Sequence, residues 1–165
     1  MDWRVILRRD VERAGLVYIN ESIKEIKDQG YNSSGKGVAS LETEIEQLGL
    51  LEFKIIIKGI QYLIFLDTGT KPHFPPVAEI FKWVQQKGLG GSRKERRSIA
   101  FAIATNQAKI GTPNPNSFKF SSNGRRKNWI EFAQLAAQGK VEPIFRGSEW
   151  ARAFFDQILP TNARL

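Results

Sequence analysis

The sequence predicts an α+β fold, and three observations carry that expectation. Apolar residues recur at a helical period over residues 3–28, switch to strict alternation from Val38, and return to a helical period after Pro76. The alternating stretch is short, so the sheet is small: about three to four antiparallel strands, with a long helix before it and helices after it. A chain of 165 residues is the size of one domain, and no internal repeat or linker divides it.

The first helix covers residues 3–28. Trp3, Leu7, Val11, Ala14, Tyr18 and Ile26 fall at spacings of three, four or their sums, with Ile23 beside the stripe, and Gly30 is placed to stop it. Residues 30–37 are Gly- and Ser-rich and read as a loop. From Val38, Ala39, Leu41, Thr43 and Ile45 share one face, while Glu42, Glu44 and Glu46 share the other. A turn at 47–49 leads to Leu51, Phe53, Ile55 and Ile57 on one side, with Glu52, Lys54 and Lys58 opposite. This is the pattern of a hairpin with one buried face and Glu–Lys pairs across the other. Residues 62–66 are continuously apolar and are expected as a third, more central strand running into Asp67-Thr-Gly-Thr70.

Gly69 allows a sharp bend there, and Pro72, Pro75 and Pro76 prevent the sheet from continuing. Pro76 is suited to open a short helix bearing Val77, Ile80, Phe81 and Val84, closed by Lys87-Gly88. Ser92 and Glu95 have capping-box spacing and open a longer helix, with Ile99, Ala102, Ile103, Asn106 and Ile110 on one side and Gly111 and Pro113 at its end. Residues 111–127 read as an extended loop or arm. Asn128 with Glu131 caps a further helix carrying Trp129, Phe132, Ala133 and Ala136; Ser148 caps a last one with Trp150, Phe154 and Ile158, stopped by Pro160. Residues 128–165 thus form a helical C-terminal extension.

Composition removes several function classes. There is no Cys and a single His, so zinc sites built from those ligands and thiolate chemistry have no material. The lack of Cys fits a reducing compartment. No apolar run approaches the ~20 residues of a membrane span, and the first residues lack a signal-peptide layout. The net charge of +8 is lopsided: residues 1–60 hold 9 Lys/Arg and 10 Asp/Glu, residues 61–165 hold 16 and 7. Such a field suits nucleic acid or an acidic protein surface, and ordinary solvated faces account for it as well.

One enzymatic pattern survives. Asp67-Thr-Gly after an apolar stretch is the active-site tripeptide of aspartic proteases, in which two chains of a retroviral-type homodimer each give one carboxylate. The helices that follow do not suit that fold, which needs strands and a flap hairpin there. Two basic clusters, Arg93, Lys94, Arg96 and Arg97, and Arg125, Arg126 and Lys127, offer contacts to DNA phosphates or to an acidic partner. No base-reading motif surrounds them, so a nucleic-acid role would be nonspecific.

The order of features is itself informative. It runs from an amphipathic helix and a hairpin to Tyr62, Asp67-x-Gly69-Thr70-Lys-Pro72, Pro75-Pro76 and Trp83, and then through an Ala-rich helix to Gly111-Thr-Pro113 and Phe118. Over about residues 1–120 this resembles the small neck and tail-completion proteins of tailed bacteriophages, minor tail components of the head–tail connection. The family's usual Pro-Phe-Leu-x-Pro-Ala ending is only echoed by Pro115-Asn-Ser-Phe118.

The resemblance implies a structural subunit of the virion, assembled in the host cytoplasm into a homo-oligomeric ring around the DNA path, with no catalytic role and no cofactor or metal. Its partners would be copies of itself, neighbouring neck or tail proteins and, nonspecifically, packaged DNA. The expected interface residues are Asp67, Gly69, Thr70, Lys71, Pro72, His73 and Phe74 in the loop, and Pro113, Pro115, Phe118 and Phe120 in the arm.

Overall fold

A computed structural model describes residues 2–31 and 34–158. Helix α1 (Trp3–Asp28) is 26 residues long. Asp2 caps its start, accepting a hydrogen bond from the Arg4 N–H at 3.0 Å. Its end is a Schellman turn on Gly30, with Tyr31 N–H donating to Ile26 O and Gly30 N–H to Lys27 O. The predicted stripe is buried through Trp3, Leu7, Val11, Ala14 and Ile26, but the same face also buries Asp10, Ser22, Glu25 and Gln29.

A short helix α2 (Lys36–Ala39) occupies the start of the expected first strand. The hairpin follows as β1 (Glu42–Gln47) and β2 (Phe53–Lys58), antiparallel, with Glu42 opposite Lys58 and Gln47 opposite Phe53. Thr43, Ile45, Phe53, Ile55 and Ile57 are half-buried on the side facing α1, while Glu42, Glu44, Glu46, Lys54 and Lys58 face solvent. The expected charge pairs form between Lys58 and Glu44 and between Lys54 and Glu46.

The expected third strand is a helix, α3 (Tyr62–Thr68), and among the described residues the sheet has two strands, not the three or four expected. The reason lies in which of these apolar residues are buried. Only Leu63 and Leu66 are, three positions apart on one helical face, while Tyr62, Ile64 and Phe65 lie exposed. A continuous apolar run has no period of its own, so packing decides its conformation.

Helices α4 (Val77–Gln86) and α5 (Arg93–Ile110) pack against each other. The α4 end repeats the Schellman turn at Gly88, and Ser92 caps α5 by accepting from Glu95 N–H, while the Glu95 carboxylate reaches back to Gly91 N–H. The buried stripe of α5 is Ala100 and Ala104 with half-buried Ile99 and Ile103; the expected members Ala102 and Ile110 are exposed. Residues 115–120 make a 3-10 helix (Pro115–Phe120).

Helix α6 (Trp129–Arg146) packs along α1. Its start meets the end of α1, where Trp129 joins Ile26, Leu63 and Leu66; its end meets the start of α1, where Phe145 joins Trp3, Leu7 and Val11. Burial follows Trp129, Ala133 and Ala137, at spacings of four, and Ala136 is exposed. α7 (Trp150–Ile158) closes over the N-terminal cluster, with Phe154 edge-on to Trp3 at 4.9 Å. Residues 129–158 are therefore part of the core rather than an appendage to it. The expected stop at Pro160 lies outside the described residues.

Candidate assembly surface

The Gly-Thr pairs noted in the sequence meet each other. Thr70 and Thr112 form an isolated antiparallel bridge, exchanging backbone hydrogen bonds of 2.9 and 3.1 Å, and their hydroxyls bond at 2.8 Å. Gly69 (φ 78°) and Gly111 (φ 75°) flank it. A Cβ on Gly69 would fall inside contact distance of Thr112 O and 2.9 Å from Lys127 Cε; one on Gly111 would collide with Thr70 O and lie 3.0 Å from Lys71 C. Both positions thus demand glycine for backbone conformation and for room. The bridge ties the 67–76 loop to the end of α5, and the Thr112–Pro113 peptide beside it is cis.

Asp67 serves this junction structurally. Asn128 takes a left-handed conformation and makes no side-chain cap. Asp67 supplies the cap from 63 residues away, its carboxylate accepting from Ile130 N–H at 2.9 Å and its carbonyl from Asn128 N–H. Its lone pairs are directed at the α6 N-terminus, which is a positioning role. Beyond it, Lys71, Pro72, His73 and Phe74 are exposed, with His73 Nδ1 2.9 Å from Lys71 O, and Pro75 is buried. Phe74 meets Phe101 of α5 edge-on at 6.1 Å, though each stays more than half exposed.

Residues 111–127 fold back over the molecule instead of extending from it. Phe120 packs edge-on against Trp83 at 5.1 Å, and Ser122 N–H donates to Asp28 O. Pro113 is half-buried, whereas Pro115 and Phe118 are exposed. Arg125 reaches Glu25 through two hydrogen bonds, of 2.9 and 2.7 Å, and lies 4.2 Å above the Phe132 ring. Arg126 is buried beneath Tyr31, with its guanidinium 4.0 Å from the ring and hydrogen-bonded to Gln29 O. Burial pushes its pKa down. The second basic cluster therefore anchors the loop, and of it only Lys127 is exposed. In the first cluster Arg93, Lys94 and Arg97 are exposed, and Arg96 bonds Gly90 O at 2.9 Å.

Glu25 is the centre of that anchor and was not singled out from the sequence. The available signal was a carboxylate on the same helical stripe as Ile26 and Gln29. Burial alone would raise its pKa, but hydrogen bonds from Arg125, Gln29 and Asn123 outweigh that and hold it below the ordinary carboxylate value. Its contribution to stability is therefore complete above the unfolded-state pKa and is lost as pH falls through the lower folded-state value. Replacing Glu25 with Gln is expected to lower stability at neutral pH and to flatten this acid-side decline. Urea midpoints measured across the acid range check both effects.

Further large apolar side chains are exposed across the molecule, among them Leu48, Leu50 and Leu51 around the hairpin turn and Tyr62, Ile64 and Phe65 on α3. Among the described residues no cluster of three or more His, Asp or Glu is placed to hold a metal ion, and no helix is long and apolar enough to cross a membrane. No model of a known protein family, no curated protein and no solved structure matches the chain.

Proposed function

We propose that this protein is a structural subunit of a tailed bacteriophage virion, forming part of the head–tail connection or tail-completion ring around the DNA path. The observation that carries this reading is the balance of apolar surface. Among the described residues, more large apolar side chains are exposed than are buried. Monomers leave such groups scattered, whereas subunits of assemblies leave them for their neighbours to cover. The order of sequence features shared with neck and tail-completion proteins supplies the class, and the use of Asp67 as a helix cap favours a structural role over a hydrolytic one.

In this reading the 67–76 loop, with exposed Phe74, and exposed Pro115 and Phe118 contact neighbouring copies or the adjoining neck and tail proteins. Phe120 supports them from within through Trp83. Arg93, Lys94, Arg97 and Lys127 are the basic groups placed for nonspecific contact with packaged DNA.

Electron microscopy of the purified protein should show closed rings, and mass spectrometry should find the protein in purified virions. A strict monomer that is absent from particles overturns the proposal. Exchanging Phe74 and Phe101 for Glu is expected to leave monomer stability within about 0.5 kcal/mol, because both rings are already largely solvated, while ring formation is lost. Urea denaturation and particle counts, run on the same preparation, separate the two effects.

A further inference from the structure

The hairpin consists of one acidic and one basic strand. Among the described residues β1 and β2 pair only with each other, so each is an edge strand. Among the described residues no backbone group on either outer edge has a hydrogen-bond partner. Two strands alone are a marginal sheet, and open edges invite further pairing. On the α1-facing side, Phe53, Ile55 and Ile57 of β2 line a groove whose other walls include Tyr18 and Ser22 of α1 and Ile130 and Gln134 of α6.

The two edges differ in charge. On the solvent face β1 carries only acids, Glu42, Glu44 and Glu46, and β2 carries Lys54 and Lys58. Pairing β2 with another β2 would set lysines against lysines, and pairing β1 with β1 would set carboxylates against carboxylates. Like charges directly opposite are destabilising, and opposite charges are favourable. One arrangement satisfies both edges: the acidic strand of one copy beside the basic strand of the next.

We propose that β1 of one copy adds to the outer edge of β2 of a second copy, head to tail, so that successive hairpins form one antiparallel sheet with alternating acidic and basic strands. The partner is this same chain, and the inference rests on the ring reading above. Because each copy offers one edge of each kind, the contact is heterologous and closes into a ring when the rotation permits. Strand addition supplies backbone hydrogen bonds, and the charges select partner and direction.

The test uses two full-length charge variants. One carries Glu42→Lys, Glu44→Lys and Glu46→Lys; the other carries Lys54→Glu and Lys58→Glu. Each has two like-charged edges and is expected to sediment at the 18.7 kDa monomer mass. An equimolar mixture presents opposite edges again and should assemble beyond the monomer, to the wild-type mass where the copy number is even, with a loss on raising salt. Assembly of either variant alone to the wild-type mass overturns the inference, as does a mixture of folded variants that stays monomeric.

Should the variants fail to fold, amide exchange of the wild-type protein decides. Outer-edge amides of both strands should gain protection in the oligomer, and unchanged exchange there overturns the inference. Wild-type rings with indifferent edges remove only this strand pairing; a wild-type monomer at every concentration removes the ring reading with it.

Discussion

Replacing Gly69 with Ala should lower the unfolding free energy by about 2–5 kcal/mol, the sum of a left-handed backbone cost of ~1–2 kcal/mol and damage to two backbone hydrogen bonds of ~0.5–1.5 kcal/mol each. The added methyl meets backbone and proline rather than the end of a flexible side chain: Thr112 O lies inside contact distance, and Pro113 Cδ would be 3.2 Å away. Relief therefore requires the 67–76 loop and the α5 end to separate, which breaks the Thr70–Thr112 bridge. Gly111→Ala should cost a similar amount for the mirror reason, its Cβ meeting Thr70 O and the Lys71 carbonyl carbon.

Gly124 provides the control. It has the same sign of φ, at 71°, and nothing lies within 4 Å of its Cβ position. Gly124→Ala should cost only the conformational part, ~1–2 kcal/mol. Urea midpoints at constant slope measure all three. Equal losses at Gly69 and Gly124 would show that the close approach of the two Gly-Thr segments contributes nothing.

Trp129→Ala has the second large expected effect, about 3–5 kcal/mol. The indole is 5% exposed and fills the space between Ile26 of α1 and Leu63 and Leu66 of α3. Its Nε1–H donates to Leu63 O at 3.0 Å, so the ring fastens α3 as well as packing against it. Trp129→Phe retains much of the volume and removes the donor, and should lose less, with the hydrogen-bond part about 1 kcal/mol. Thermal and urea unfolding of the pair separate packing from the polar contact. A Trp129→Ala protein of near wild-type stability would mean that α6 and α3 are fastened elsewhere.

These two sites show where the sequence is legible. Local chemistry transfers directly to local structure: the Gly30 and Gly88 helix ends, the Ser92 cap and the alternating charges of Glu44, Glu46, Lys54 and Lys58 all fall where the residue types demand. Residues 62–66 were opaque because five apolar residues in succession carry no period. Their helix is imposed by Leu63 and Leu66 turning toward Trp129 and Ile26, which lie far off in the chain.

The site divides in the same way. Asp67, Gly69, Thr70 and Gly111-Thr-Pro113 stand out by composition, but only the fold shows that the two Gly-Thr segments bond each other and that Asp67 caps a helix 63 residues on. Arg125 and Arg126 look like solvated charges in a polar loop. Their partners, Glu25, Gln29 and Tyr31, sit about a hundred residues earlier, beyond the reach of any local pattern.

In the proposed ring, the exposed apolar side chains are covered by like copies. Measuring molecular mass against protein concentration at near-physiological salt tests this most directly. A single discrete mass, a whole multiple of 18.7 kDa that stops growing as concentration rises, is the expected result, because a heterologous contact that closes has a fixed copy number. A mass of 18.7 kDa throughout the range, with Phe74 and Phe101 still open to solvent, would contradict it.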